Sequence, residues 1–594
     1  MCGIVGSVGF KDTRKYLIEG LKILDYRGYD SAGIALLENK NKIDIFRAVG
    51  SVEQLDSIIP NGVAGKLGIG HTRWATHGKP SEANAHPHLS NDENFAIVHN
   101  GVIENFIEIK NRLLRSGYTF YSGTDTEVVA NLLQDNYAKY LNLQKALRQT
   151  MKELEGSFAI VIITKYDPDA LYCLKNSSPL LIGEADGFNL VASDATPMIE
   201  YTNKFIELED YELARVTKEK IQIFDSHLDE IQHKYVIKEP DSCKKNLNGY
   251  PHFMLKEIEE CETVIRRLMV TYCDNGVFNF DDDLIERIQE SDHIVFIACG
   301  TSYHASLFGE RYFEHIGKPS SCYIASEWAF YPKMPGKKPF FILISQSGET
   351  ADVIHCMKIL QENSMPTLII TNTKGSTLER GCTYSLLLNA GLEVSVASTK
   401  AYVAQVTMLA LLTNALQNRH KIVRDLEQCC HIVSEIRTTC KEKIQEMARE
   451  LKDKTHIFYL GRGYDYDLSL EASLKLKEIS YIYSEAFPGG ELKHGPIALI
   501  EPGVSVIVFI TDDVTAKSMR ANVQEIKARG ASVYVISVKS LSEPDDYIVV
   551  NDYPRYLSSA AISTIAFYFA YYVSLFKGLN VDKPRNLAKS VTVE

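Results

Sequence analysis

His293-Ile-Val-Phe-Ile-Ala-Cys-Gly300 recurs further along the chain as His456-Ile-Phe-Tyr-Leu-Gly-Arg-Gly463. Each is a short apolar run, rich in β-branched and aromatic residues, that closes on a glycine. Such runs are strands buried on both faces of a parallel sheet. Two more runs keep the register: Phe341–Ile344 answers to Val508–Ile510 and Leu368–Ile370 to Val533–Val535, all at a spacing of about 165 residues. Three strands recurring in order at one spacing predict two copies of an α/β subdomain. Ala401–Leu416 and Ala560–Phe576 are apolar but interrupted by Gln405, Thr413, Ser563, Thr564 and several tyrosines. They fall short of the roughly 18 uninterrupted apolar residues of a membrane span and read as core helices.

Ligands of such sheets bind in the loops beyond the carboxyl ends of the strands, and there the copies differ. Copy one reads Cys299-Gly300-Thr301-Ser302 and then Ser345-Gln346-Ser347-Gly348-Glu349-Thr350. Hydroxyls, an amide side chain and backbone N–H groups at a helix start make a phosphate cradle that needs no lysine. Read alone, the same six residues are also a serine-rich helix cap. Copy two has Thr511-Asp512-Asp513-Val514 at the second position, where two carboxylates repel a phosphate.

Copy two offers acid–base groups instead. Leu470-Glu471-Ala-Ser-Leu-Lys475-Leu-Lys477-Glu478 is strongly helical, and Glu471, Lys475 and Glu478 share one face at i, i+4 and i+7. His494 follows in Gly490-Glu491-Leu-Lys-His494-Gly495. An exposed ion-pair helix with a capping histidine reads the same way. By its chemistry the imidazole of His494 suits acid–base work near neutral pH. Glu478 is the candidate base for a proton transfer, Lys475 the candidate to polarise a developing anion or tune Glu478, and Glu471 the candidate to hold Lys475.

The first third has a different texture. Ile4–Val8, Gly33–Leu37, Lys66–Ile69, Phe95–Val98, Ala159–Ile163 and Leu190–Ala192 read as short strands, with helices at Asp12–Leu24 and Asp125–Gln134. This mixture predicts sheet packed on sheet. Met1-Cys2-Gly3 opens it. Removal of Met1 leaves Cys2 with a free α-amine, whose reference pKa of roughly 7.7–8.0 places nucleophile and base on one residue. Two polar stretches follow strands, His71-Thr72-Arg73-Trp74-Ala75-Thr76-His77-Gly78 and His99-Asn100-Gly101, and a third, Gly123-Thr124-Asp125-Thr126-Glu127, stands at a helix start. Arg73 suits an α-carboxylate, Asp125 an α-ammonium, and the Asn100 amide with the Gly101 N–H an oxyanion. Singly, Asp125 is equally a helix N-cap, Arg73 a surface ion-pair partner and Asn100-Gly101 a turn.

The 594 residues are too many for one core. Hydrophobic content of 45% and a net charge of −12 are those of a globular protein without a nucleic-acid-binding surface. Twelve cysteines without metal-like pairs point to reduced thiols in the cytoplasm. No secretory signal is legible at the start. Polar Lys-Glu-Pro-Asp-Ser-Cys-Lys-Lys-Asn-Leu-Asn fills a linker. The expected domains are residues 1–236, a linker 237–249, the two copies at 250–440 and 441–580, and a tail at 581–594.

MCGIVG, DYRGYDSAG (Asp25–Gly33), HTRWATHG, AHPH (Ala85–His88), HNG and TDTE resemble the glutamine amidotransferase domain with an N-terminal nucleophile. That resemblance implies an α+β αββα sandwich, Cys2 as nucleophile, and Arg73, Asn100, Gly101 and Asp125 in the roles above. It adds Thr76 and His77 to the glutamine-binding loop. Such domains release ammonia to a second site on the same protein. Trp74 is equally a gate for that ammonia or a bulky loop anchor. The rest resembles tandem sugar isomerase (SIS) domains of α/β, Rossmann-like type. The segment Val396-Ala397-Ser398-Thr399-Lys400 matches a sugar-contacting stretch, with Ser395 where glycine is expected. The end, from Asp582 through Arg585, Asn586, Ala588 and Lys589 to Glu594, is similar to the closing segment of the glutamine–fructose-6-phosphate aminotransferase family. By that resemblance Lys589 forms a Schiff base with the open-chain ketose, and Val396, Ser398 and Ala588 join Thr301, Ser302, Ser345, Gln346, Ser347 and Thr350 around the sugar phosphate.

The resemblance implies an enzyme that makes glucosamine 6-phosphate and glutamate from fructose 6-phosphate and glutamine. No metal and no organic cofactor is expected, nor a nucleic-acid or membrane partner. A homodimer is expected, with His494 acting on its own or a neighbouring subunit's sugar. A non-catalytic sugar-phosphate sensor would need the cradle but not Cys2, Glu478, His494 or Lys589. A deglycase or isomerase of another phosphorylated sugar would leave the Cys2 set unexplained.

Overall fold

A computed structural model describes residues 2–25, 28, 30–39, 42–60, 62–74, 78–237, 246–274 and 276–591. Thr76, His77 and most of the expected linker lie outside the described residues. The chain divides into two compact units, one of residues 1–245 with 590–593 and one of residues 246–589.

In the first unit the site is set by β1 (Gly3–Val8), α1 (Thr13–Leu24), β2 (Leu67–Arg73), β3 (Phe95–Ile103), α2 (Asp125–Tyr140) and β4 (Gly156–Thr164). β1 lies at the middle of an eight-stranded antiparallel sheet, between β2 and Phe188–Ala192. β3 and β4 pair in a seven-stranded antiparallel sheet. Alternation divides the side chains of each strand between two layers. Ile4, Ile69, Val98, Ala159 and Val161 fill the space between the sheets. Val5 turns outward onto Tyr16, Leu17 and Leu21 of α1, while Phe95 and Ile97 turn outward onto Val128, Val129 and Leu132 of α2. The result is the expected αββα sandwich. The Asp12 side chain accepts the Lys15 N–H at 3.1 Å and starts α1, one orphan amide satisfied at the N-cap.

Three local expectations change. His71–Arg73 and His99–Gly101 are the last residues of β2 and the middle of β3, not loops after them. Their polar groups bond to one another inside the fold, so the strands continue where polarity suggests a stop. Asp125 is not the N-cap of α2: Thr124 is, with its hydroxyl on Glu127 N–H, and Asp125 is the first helical residue. The helices Phe106–Arg115 and Leu143–Glu153 also join the outer layer, through Ile109, Leu113, Leu147 and Met151.

The second unit repeats one layer twice. β5 (His293–Ala298), α3 (Gly300–His315), β6 (Ser320–Ile324), β7 (Pro339–Ser345), α4 (Ala351–Glu362), β8 (Thr367–Thr371) and β9 (Tyr384–Leu387) give a five-stranded parallel sheet ordered β6-β5-β7-β8-β9. α5 (Lys400–Leu416) follows, and then β10 (His456–Gly461), α6 (Tyr464–Ser480), β11 (Tyr483–Pro488), β12 (Ser505–Ile510), β13 (Ser532–Val538) and β14 (Ile548–Val550), ordered β11-β10-β12-β13-β14. In both sheets the second strand lies on one side of the first and the third on the other. The chain therefore reverses between the first and third strands, and a crevice opens beyond their carboxyl ends. The helical run from Lys421 to Leu451 continues through a π-turn at Ile436–Cys440, so the expected boundary at residue 440 lies within one rod.

α7 (Ser558–Phe576) is apolar all round, with mean hydropathy 1.4 over its 18-residue window, yet 89% of that window is buried. It is a core helix: its Ser574 hydroxyl donates to Ile479 O of α6 at 2.8 Å, and α5, α6 and α7 contribute to one hydrophobic cluster.

Candidate active sites

Pairing of Gly3 with Thr72 carries Cys2 to the end of β2. The half-buried Cys2 Sγ accepts the Trp74 N–H at 3.2 Å. Asn100 reaches across from the facing sheet. Its Nδ2 donates to Cys2 O at 3.1 Å, while its Oδ1 lies 3.1 Å from His71 Nε2. Burial pushes the Cys2 thiol up, a rise that the Trp74 N–H and the Arg73 charge reduce but do not cancel. Buried Arg73 donates to Gly78 O at 3.1 Å, and burial lowers its proton affinity against the opposing pull of Cys2, Asp125 and Asp30. Asp125 is buried and accepts the Ile103 N–H at 2.9 Å. Gly101 has φ +130°, and a Cβ there would stand 2.0 Å from Ser157 O. The site thus assembles a thiol, a guanidinium, a carboxylate and an amide donor from three strands and a helix start.

His71 stacks on His86 with ring centroids 4.1 Å apart, and His88 packs edge-on against His86. Burial and the Arg73 charge push His71 down to about 3, and burial keeps His86 and His88 far below the usual range. The His71 ring, held neutral, orients Asn100 without adding charge beside the thiol. The AHPH stretch supplies two of these rings.

In the second unit, the register Ala298↔Ile344 brings the loops after β5 and β7 side by side at the switch point. Ser345 Oγ lies 2.8 Å from Thr350 Oγ1 and accepts the Gly348 N–H at 3.1 Å, and Ser347 Oγ accepts the Glu349 N–H at 3.1 Å. Gly348 has φ +67°, with a Cβ position 2.0 Å from Ser376 Oγ, so a side chain is excluded there. The Ser345 and Ser347 hydroxyls thus hold the Gly348 and Glu349 amides within the loop ahead of α4. Gln346 fixes its far side through its carbonyl, which accepts the Asn372 N–H at 3.1 Å. Ser302 Oγ accepts Gln405 Nε2 at 2.9 Å.

Thr301 does something the sequence reading did not assign. Its hydroxyl accepts Lys475 Nζ at 2.9 Å and lies 3.2 Å from Glu471 Oε1. This ties the first copy to the acid–base helix of the second. Fully buried Lys475 meets Glu478 Oε2 at 2.6 Å and Glu471 Oε1 at 3.4 Å. Glu471 also bonds His304 Nδ1 at 2.8 Å. Burial works against the Lys475 ammonium, but Glu471 and Glu478 outweigh it and raise its proton affinity. Lys475 is therefore a fixed cation rather than a proton shuttle.

The Lys589 side chain is 7% exposed and ion-paired to Glu393. Glu393 Oε2 also accepts the Ser398 hydroxyl at 3.0 Å, and Oε1 the Thr399 and Ala401 N–H groups at 2.9 and 3.0 Å. Val396 N–H donates to Asp582 O at 3.0 Å, which joins this loop to the closing segment. That segment is clasped further by Arg585, whose guanidinium lies 4.0 Å above the Tyr481 ring. Val396, Ser398 and Lys589 thus come together, with half-buried Ala588 adjacent in the chain. Ser395 is absent from the left-handed residues of the described chain, so the glycine expected there is not required. His494 stands apart: it is exposed, in the turn Glu491–His494.

The second switch point is closed. Asp465 is fully buried, accepts Thr511 N–H at 2.8 Å and the Thr511 hydroxyl at 2.5 Å, and is pushed up to about 6 by burial. Arg555 pairs with Asp512 and Asp513. Sequence reasoning missed Glu393, Glu257, His304 and Asp465; the only signal was an acidic or imidazole side chain inside an otherwise apolar or helical stretch.

A thiol-bearing double antiparallel sheet followed by two parallel switch-point layers defines an amidotransferase joined to a tandem sugar-isomerase module. The family model described as the glutamine amidotransferase domain matches residues 71–200, and that of the SIS domain matches 287–415 and 450–577. Curated glutamine–fructose-6-phosphate aminotransferases (isomerizing) from Oceanobacillus iheyensis, Bacillus licheniformis and Streptococcus pneumoniae are each 44% identical over 100% of both chains. The chain belongs to the glutamine–fructose-6-phosphate aminotransferase (isomerizing) family. Among solved structures, the C-terminal domain of glucosamine-fructose-6-phosphate aminotransferase from Francisella tularensis is 30% identical. It covers 57% of this chain and 100% of its own, with a TM-score of 0.55. A putative tagatose-6-phosphate ketose/aldose isomerase from Clostridium novyi shares the fold at 16% identity and a TM-score of 0.50, covering 57% of this chain and 93% of its own.

Proposed function

We propose that this enzyme converts fructose 6-phosphate and glutamine to glucosamine 6-phosphate and glutamate, and that the residues above carry the steps. Arg73 holds the glutamine carboxylate and Asp125 its ammonium, with Thr76 and His77 in the same loop. With Met1 removed, the Cys2 amine takes the thiol proton. The sulfur attacks the amide, Asn100 and the Gly101 N–H hold the oxyanion, ammonia leaves, and water frees glutamate. Trp74, whose backbone holds the sulfur, is the candidate gate for that ammonia.

On the sugar, the Ser345–Thr350 loop with Ser302 takes the phosphate, and Val396, Ser398 and Ala588 line the chain of hydroxyls. His494 opens the ring, Lys589 forms the imine at C2, and ammonia displaces the lysine. Glu478 moves the proton between C1 and C2 while the Lys475 cation, steadied by Glu471 and Thr301, stabilises the enolamine. The observation that carries this reading is the Thr301–Lys475–Glu478 chain, which joins the phosphate-binding copy to the acid–base helix. The exposure of His494 favours a homodimer in which it serves the partner's sugar. Free thiols throughout the described cysteines favour a cytoplasmic setting. The decisive experiment measures glutamate and amino-sugar release together: a one-to-one ratio dependent on sugar supports the reading, and glutamate without amino sugar refutes it.

A further inference from the structure

Beneath Lys589 lies a second carboxyl group with no part in the steps above. Glu257 belongs to the helix Phe253–Glu259 and is buried. Its Oε1 accepts Val394 N–H at 2.5 Å and Ser395 N–H at 3.3 Å, the two peptides directly after Glu393. It therefore fixes the backbone from which Glu393 reaches Lys589. The charged groups facing it are Glu393, Lys589 and Lys400. Lys400 is itself buried and pairs with Glu260 at 2.7 Å, and Asp582 receives the N–H groups of Phe253 and Met254 at the start of the same helix. Buried Cys261 is one turn further on.

The charge balance is uneven. Lys400 is taken up by the half-exposed Glu260, which Lys256 also meets at 3.6 Å, so the two buried carboxylates Glu257 and Glu393 share one directly paired ammonium, that of Lys589. An uncompensated buried charge is costly, so such a group takes up a proton instead. Glu393 is held ionised by Lys589 and three hydrogen bonds, which leaves Glu257 to carry the proton. Burial and the Glu393 charge push it up to about 8.

We propose that Glu257 is a positioning residue for imine formation: its neutral carboxyl aligns Glu393 and keeps a second negative charge away from the Lys589 ammonium. Lys589 must shed a proton before its nitrogen attacks the ketose carbonyl, and that proton passes to Glu393 along the existing ion pair. An ionised Glu257 beside Glu393 would hold the ammonium more firmly. The inference rests on the Schiff-base reading of Lys589.

The test traps the imine in the full-length enzyme with fructose 6-phosphate and borohydride, and quantifies the labelled Lys589 peptide between about pH 6 and pH 10. Glu257→Gln keeps the acceptor for Val394 and Ser395 but never ionises. Its trapping midpoint should fall about one pH unit below the parent's, as expected for removing an opposite charge near the Lys589 ammonium, while glutamate release without sugar stays unchanged. Glu257→Ala, which drops the backbone hold as well, should trap several-fold less at every pH. Equal midpoints in the parent and Glu257→Gln overturn the inference alone. Labelling of the parent at another lysine removes the Schiff-base reading and the inference with it. If Glu257→Gln does not fold, the parent decides: the infrared carbonyl band of a buried neutral carboxyl should vanish as pH rises through about 8, and its absence at pH 7 refutes the proposal.

Discussion

Gly101 and Cys2 show how little room the proposed glutamine site leaves. A methyl at Gly101 collides with Ser157 O at 2.0 Å, and the neighbouring strand β4 is a buried ladder partner that cannot retreat. Gly101→Ala should therefore cost glutamine hydrolysis at least about 100-fold, the order of a lost oxyanion donor, and lower the unfolding midpoint. A variant with parent-like glutamate release would show that this N–H is not used. Cys2→Ala should abolish glutamine use entirely while the sugar is still isomerised, checked by separate assays of glutamate and aldose phosphate. The residues of these predictions were legible in the sequence because each sits in a short motif of unusual polarity. Glu393 and Glu257 were not. Each is one acidic residue in a stretch that reads as ordinary helix or loop, and its meaning comes from a fold that brings residues 257, 393 and 589 together.

At the scale of elements, the cradle before α4 depends on hydroxyls that shape the loop before any ligand arrives. Thr350→Val removes the partner of Ser345 and keeps the volume. The sugar KM should rise about tenfold, in line with roughly 1.4 kcal/mol for one hydrogen bond to a charged group, with kcat little altered; an unchanged KM would mean the phosphate lies elsewhere. α6 behaves differently, since Glu471→Gln weakens the grip on Lys475 and should lower kcat more than it raises KM. The repeat, the parallel sheets and both core helices were readable from apolar runs alone. The ends of β2 and β3 were not. β2 ends on polar residues and β3 runs through a polar His99-Asn100 before it ends, and period-2 patterning carries no information once histidines and asparagines pair with each other inside the fold.

At the scale of the molecule, the exposed His494 makes a test of assembly. Mixing His494→Ala with Lys589→Ala subunits under exchange should restore about a quarter of parental activity, because half the pairs in a two-fold dimer are mixed and each carries one intact site; no recovery would place His494 in its own subunit's site. Acid should act on the amidotransferase unit. His71 is held at about 3 in the fold against about 6.5 in an unfolded chain, so the unfolded state binds more protons throughout that window. Stability should fall as pH drops below about 6.5, by up to about 1.4 kcal/mol per unit from this ring, read as a falling denaturant midpoint that His71→Gln flattens. The Asp465–Thr511 contact gives the two copies unequal responses to substrate. Asp465 already supplies an internal anion to the amide that a phosphate would otherwise engage, so the second crevice gains nothing from sugar phosphate. Linkage stabilises only the state that binds. In hydrogen exchange, saturating sugar phosphate should slow the amides of residues 345–350 and leave Thr511 at its resting rate, one half of a duplicated protein sensing the ligand and the other permanently wearing its own.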